Sequence, residues 1–146
     1  MYESQVTLQG WAGSKVELRE TSSGAVANFR LACTPRYFRN NEWHDGQTSW
    51  FTVTVWRGLA RNVADSVSKG DPVVVQGRVR VDSWVPDGEQ TPRQTWTVDA
   101  SFVGHDLNRG TSRFARPVRP GAAEPEDVTE PEPVESEPMA AEESAA

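Results

Sequence analysis

Along most of the chain, apolar and polar side chains alternate, which sends successive residues to opposite faces of an extended strand. In Ser49 to Trp56, Phe51, Val53 and Val55 share one parity, and Trp50, Thr52, Thr54 and Trp56 share the other. In Pro72 to Trp84, Val73, Val75, Gly77, Val79 and Val81 alternate with Gln76, Arg78, Arg80, Asp82 and Trp84. The same reading predicts strands over Gln5 to Leu18, with a break at Gly13, over Ala25 to Cys33 and over Gln94 to Val103. Turn-forming residues separate them: Ser22-Ser23-Gly24, a polar loop from Arg39 to Thr48 containing Asp45-Gly46, and Pro86-Asp87-Gly88.

One segment has a different period. Leu59, Ala60, Val63, Ala64 and Val67 recur at helical spacing, and Lys69-Gly70 supplies a C-terminal stop. Three strands, a short helix and two further strands predict an all-β, five-stranded OB-fold barrel with the helix between strands three and four.

The apolar parities belong to the core. The opposite parities place Trp50 and Trp56 beside threonines, Trp84 beside Arg78 and Arg80, and Asn28 and Arg30 on the outside of the second strand. Exposed tryptophans on a polar, basic face call for a ligand. Every nucleobase has a flat π-face that stacks on an indole for roughly 1 to 3 kcal/mol whatever its identity. Arginines between the rings neutralise phosphates and release counterions. Paired bases hide their faces, so the pattern predicts binding of single strands.

Charge adds a second object. All 15 Lys and Arg lie before position 121, against 12 acidic groups there, while residues 121–146 carry nine acidic groups and no basic one. The overall net charge of −6 is therefore the sum of a mildly basic +3 over residues 1–120 and −9 over the C-terminal stretch. That stretch, built mainly of Ala, Glu, Pro, Ser and Val, predicts a disordered acidic tail. The expected division is a folded domain over 1–107, a basic Gly- and Pro-containing linker over 108–120, and the tail over 121–146.

The remaining chemistry is sparse. Cys33 is the single cysteine and reads as core packing; no signal-like segment or apolar run of ~20 residues is present, so a cytoplasmic location is expected. His44 beside Asp45 has no serine, cysteine or lysine to activate, and neither an enzyme nor a metal or other cofactor is expected. Trp96, in phase with Val98, Ala100 and Phe102, reads as core. Trp11 is open between core, subunit interface and DNA contact, and Trp43 between a solvent-exposed loop anchor and a base contact.

The segments GAVANFRLACTP (Gly24 to Pro35), TSWFTVTVWRGLARNVADSVSKGDPVVVQGRVRV and DSW resemble, in sequence and spacing, the bacterial single-stranded DNA-binding proteins of replication, recombination and repair. The resemblance covers roughly residues 3 to 107. It implies base stacking at Tyr37, Trp50, Trp56 and Trp84, with Phe38 replacing Tyr37 if the register slips by one. Arg30, Arg36, Arg78 and Arg80 are the accompanying candidate phosphate contacts. It also implies a homotetramer associated with nucleoid DNA.

The chain departs from the family pattern at Gly10-Trp11-Ala12, where Gly-Asn-Leu is common, and at Phe51, where many members have His. It ends Ala-Glu-Glu-Ser-Ala-Ala rather than in an Asp-Asp-x-Pro-Phe tip. Recruitment of replication or repair enzymes is accordingly not expected, and a secondary paralogue of actinobacterial type is. The rival readings are a primosome-type protein-interaction domain, an RNA-binding module and, more remotely, a carbohydrate-binding platform.

Overall fold

The computed structural model describes residues 2–118, so the acidic tail expected over 121–146 lies outside the described residues. One compact unit spans Met1–Ser112. It is mostly β with one short helix: β1 (Gln5–Ala12), β2 (Glu17–Thr21), β3 (Gly24–Cys33), β4 (Arg36–Arg39), β5 (Glu42–Asp45), β6 (Ser49–Trp56), α1 (Arg57–Ser66), β7 (Pro72–Trp84) and β8 (Arg93–His105).

The six-stranded sheet runs β1-β7-β8-β6-β3-β2, and β1 also pairs with β3 through Trp11↔Ala32 and Ala12↔Leu31. The strands β1, β7, β8, β6 and β3 therefore form a hydrogen-bonded ring. All its pairings are antiparallel except β6 with β8.

The inward parity fills the ring with Phe29, Leu31, Val53, Val55, Val73, Val75 and Val98, each at most 2 % exposed. Burying a side chain of this size contributes roughly 1.5 to 3 kcal/mol. Helix α1 adds Ala60 and Val63 to the same cluster, and Val67, just past its end, donates its N–H to Val63 O at 2.9 Å.

Three features differ from the sequence expectation. The first strand region breaks at Gly13 as expected, but its second part runs beyond Leu18 to Thr21 as β2. The stretch read as a polar loop contains a hairpin, β4 and β5, turned by Asn40 and Asn41 at φ +53° and +64°. Asparagine tolerates that left-handed conformation, and two such residues in a row suit the tight turn whose twist matches a hairpin.

Third, Trp96 is not core. It is 46 % exposed and lines a cleft of about 600 Å³ together with Val6, Leu8, Phe51 and Val79. Its inward parity holds, but at the edge of the ring, where none of the described residues closes over it. Phe102 is also exposed, because the β7–β8 register shifts at Gln76/Gly77: Gly77 faces Ala100 while Gln76 faces Phe102. The extra residue, Ser101, reverses the parity beyond it. Gly77 sits where a Cβ would run into the Asp99 carbonyl.

Candidate nucleic-acid interface

The outward parities of β3, β6, β8 and β7 form one continuous surface. In register across it, Arg30 faces Thr52, Thr52 faces Thr97, and Thr97 faces Arg80; one step along, Asn28, Thr54, Asp99 and Arg78 make a parallel row. The middle is a closed polar floor. Thr54 and Thr97 are buried, Thr54 Oγ1 donates to Asn28 Oδ1 at 2.8 Å, and Thr97 Oγ1 donates to Asp82 Oδ2 at 3.2 Å. No buried side-chain nitrogen or oxygen among the described residues lacks a partner.

Trp50 and Trp56 stand at the two ends of β6 on this face, ~20 Å apart at ~3.3 Å per residue. They are 47 % and 46 % exposed, whereas Thr52 and Thr54 between them are sunk. Trp84, at the far end of β7, is also about half exposed and faces Arg93 across the strand pair. Trp56 is immediately followed by Arg57 at φ +57°, a left-handed residue that turns the chain from β6 into α1.

Tyr37 and Phe38 lie on β4, both about half exposed, and point to opposite faces of the hairpin because they are adjacent in a strand. Tyr37 stacks on His44 at 5.6 Å between centroids, and Phe38 meets Trp43 at 5.4 Å in a tilted pair. The hairpin joins the face at its Trp50 end, where Ala32 faces Trp50 and Cys33 faces Ser49.

The four candidate arginines have different surroundings. Arg30 donates through Nη1 to Thr52 Oγ1 at 2.7 Å and lies 5.7 Å from the centroid of the Trp50 ring. Among the described residues it has no carboxylate partner. Arg78 pairs with Glu3 at 2.8 Å, and that hydrogen bond, reinforced by the Glu3 charge, raises its pKa above the ordinary guanidinium value. Arg80 pairs with Asp82 at 3.0 Å and Asp99 at 3.4 Å, and Arg36 with Asp45 at 3.0 Å.

Sequence reasoning overlooked Glu3, Asp99 and Arg93, which the fold brings beside Arg78, Arg80 and Trp84. Glu3 lies 75 residues from its arginine, and no local pattern announces such a pair. The hairpin had a usable signal in Asn40-Asn41.

The other chemistry-bearing groups lie apart from this face. His105 bridges Ser112 Oγ at 2.9 Å and Asp71 Oδ2 at 3.2 Å near the end of the compact unit. Burial pushes the Cys33 thiol pKa up.

A ring of strands carrying a polar floor walled by bare indoles defines a binding platform for flat, unpaired rings. Comparison with known proteins agrees: residues 3–106 match the model of the single-strand binding protein family, and the chain belongs to that family. It is 47 % identical over 139 residues to single-stranded DNA-binding protein 2 of Streptomyces avermitilis, covering 91 % of this chain and 85 % of that one. Identity to single-stranded DNA-binding protein 1 of Streptomyces coelicolor is 41 % over 125 residues, covering 84 % and 79 %. Among solved structures, the small single-stranded DNA-binding protein from Streptomyces coelicolor matches with a TM-score of 0.71 at 41 % identity, covering 75 % of this chain and all (100 %) of that one. The second such protein from Mycobacterium smegmatis matches at 0.58 and 26 % identity, covering 79 % and 100 %.

Proposed function

We propose that this protein binds single-stranded DNA without sequence choice, stacking bases on Tyr37, Trp50, Trp56 and Trp84, and protects and organises it during replication, recombination or repair. Phosphates run past Arg30, Arg36, Arg78 and Arg80, with Phe38 as a neighbouring contact. The carrying observation is the pair Trp50 and Trp56, half-bare at either end of a sealed polar floor. Stacking of this kind is indifferent to base identity, and OB folds of this sort occupy ~4 to 16 nucleotides. The paired strands support a closed five-stranded OB barrel as the scaffold, residues 1–107 being the binding domain, 108–120 a basic linker and 121–146 an acidic tail.

The protein works as a homotetramer in the cytoplasm, on nucleoid DNA. The exposed apolar side chains Trp96, Phe102 and Val81 support association, since a second subunit would take them out of water. Among the described residues no helix is long and apolar enough to cross a membrane.

The test is a tryptophan-fluorescence titration against single-stranded DNA, duplex DNA and RNA of matched length over a range of salt, with the mass of the assembly measured in parallel. Strong quenching by poly(dT), weakening with salt and absent with duplex, is the expected result. Equal quenching by duplex would overturn the stacking reading, and preference for RNA would reassign the ligand.

A further inference from the structure

We infer that the β4–β5 hairpin carries a second base-stacking face, built on Trp43 with Phe38 and Arg36 behind it, which extends the bound strand beyond Tyr37 and Trp50. The inference rests on the single-strand reading above. Its basis is the register of the hairpin: Tyr37 faces His44 and Arg39 faces Glu42 on one side, and Arg36 faces Asp45 and Phe38 faces Trp43 on the other. Adjacent strand residues project oppositely, so the arm has two aromatic faces, of which the Tyr37 platform uses one.

The second face has the same parts as the first. Trp43 is 62 % exposed, the barest of the six tryptophans. It is nevertheless held in place, by Phe38 at 5.4 Å and by the Arg36 guanidinium at 5.8 Å from its ring centroid. Arg36 is itself oriented by Asp45 at 3.0 Å. An indole fixed by two neighbours loses little side-chain freedom when a base stacks on it, and the adjacent guanidinium can meet the phosphate of the same nucleotide.

The root of the arm is braced as well. Thr34 and Thr48 share a hydroxyl hydrogen bond at 2.7 Å, and Gly46 N–H donates to Pro35 O at 2.7 Å. Because the arm springs from the Trp50 end of the face, a strand leaving Trp50 passes along it. The occupant is therefore a further stretch of the same single strand. A protein partner would match the aromatic pair but has no reason to need continuity with Trp50.

The experiment uses the full chain and a series of oligo(dT) lengths, reading affinity and the number of nucleotides occluded per protomer for the wild type, Trp43→Ala, Trp43→Phe and Trp50→Ala. Trp43→Ala is expected to bind the shortest oligonucleotides like the wild type. For longer ones it should lose about 5- to 150-fold in affinity and occlude fewer nucleotides, with Trp43→Phe restoring most of both. Identical affinity and site size for Trp43→Ala and wild type at every length, while Trp50→Ala is weakened, overturns the second face and leaves the single-strand reading intact. An equal loss at every length, the shortest included, also overturns it, because Trp43 would then act through the shape of the arm. A wild-type chain that binds no oligonucleotide at all defeats both readings.

Discussion

A Cβ placed on Gly13 would lie 2.5 Å from Cζ3 and 3.0 Å from Cη2 of Trp50. The outer edge of the indole thus rests in a space that exists only because residue 13 has no side chain, while Arg30 sits 5.7 Å from the ring centroid. Gly13 N–H also donates to Arg30 O at 2.7 Å, so one short break in the chain positions both the ring and the residue beside it.

Gly13→Ala should therefore displace Trp50 without unfolding the protein. The clash falls on the rim of a ring that can swing about its own side-chain bonds, and the backbone hydrogen bond to Arg30 survives the substitution. Thermal stability is expected to stay close to wild type while affinity for single strands falls, by no more than the ~1 to 3 kcal/mol that Trp50→Ala costs. In a double-mutant cycle, adding Gly13→Ala to Trp50→Ala should cost nothing further. Additive losses would show that Gly13 acts elsewhere than through this ring.

The ion pairs on the face make a second prediction, concerning salt. Arg30 is the candidate phosphate contact with no carboxylate partner among the described residues, whereas Arg78 and Arg80 are held by Glu3, Asp82 and Asp99. A phosphate arriving at a guanidinium already balanced by carboxylate displaces fewer counterions. Arg30→Ala should lower the slope of log affinity against log salt by about one, and Arg78→Ala or Arg80→Ala by less. Glu3→Gln should strengthen binding at low salt by releasing Arg78. Equal slopes for all three arginine variants would contradict this ordering.

What could be read from the sequence was whatever obeys a local period. Alternation marked Phe51, Val53 and Val55 as core and turned Trp50 and Trp56 outward, and helical spacing found Ala60 and Val63, which are buried as expected. Period failed where the structure changes phase or closes over distance. The extra residue Ser101 sends Phe102 outward, and Trp96 keeps its inward parity yet lies at an uncovered edge. The β4–β5 arm is almost wholly exposed on both faces, so it has no apolar stripe to betray it, only its two asparagines. Glu3, which pairs with Arg78, and Asp99, which pairs with Arg80, come from the N-terminal segment and from β8, and only the fold reveals them; Asp82, the other partner of Arg80, is two residues along the same strand. Tyr37 was singled out by family resemblance alone, since nothing in its own sequence surroundings distinguishes it from Phe38.

The junction after Trp56 supplies a stability prediction. Arg57 adopts φ +57°, a conformation that costs a residue with a Cβ roughly 1 to 2 kcal/mol. Arg57→Gly should remove that cost and keep or raise the melting temperature, provided the Arg57 side chain contributes little. Arg57→Val, branched at Cβ, should lower it. The same turn ends β6 at Trp56, so a drop in single-strand affinity for Arg57→Val larger than for Arg57→Gly is expected as well. If the valine variant matches the glycine variant in both measurements, the left-handed turn is not a constraint on Trp56.

Residues 121–146 add nine acidic groups and no basic one to a chain that otherwise holds 15 basic against 12 acidic. A polyanion tethered to a DNA-binding face competes with DNA at high effective concentration, and does so through interactions screened beyond ~10 Å at 0.1 M salt. Deleting residues 121–146 should therefore tighten single-strand binding at low salt, and the difference from the full chain should shrink as salt rises. Arg30→Ala should reduce the gain, because among the described residues its guanidinium has no carboxylate partner and so offers any competing polyanion an unbalanced charge. Affinities that coincide for the two lengths across all salt concentrations would mean the acidic stretch never reaches the face, leaving solubility as its physical role.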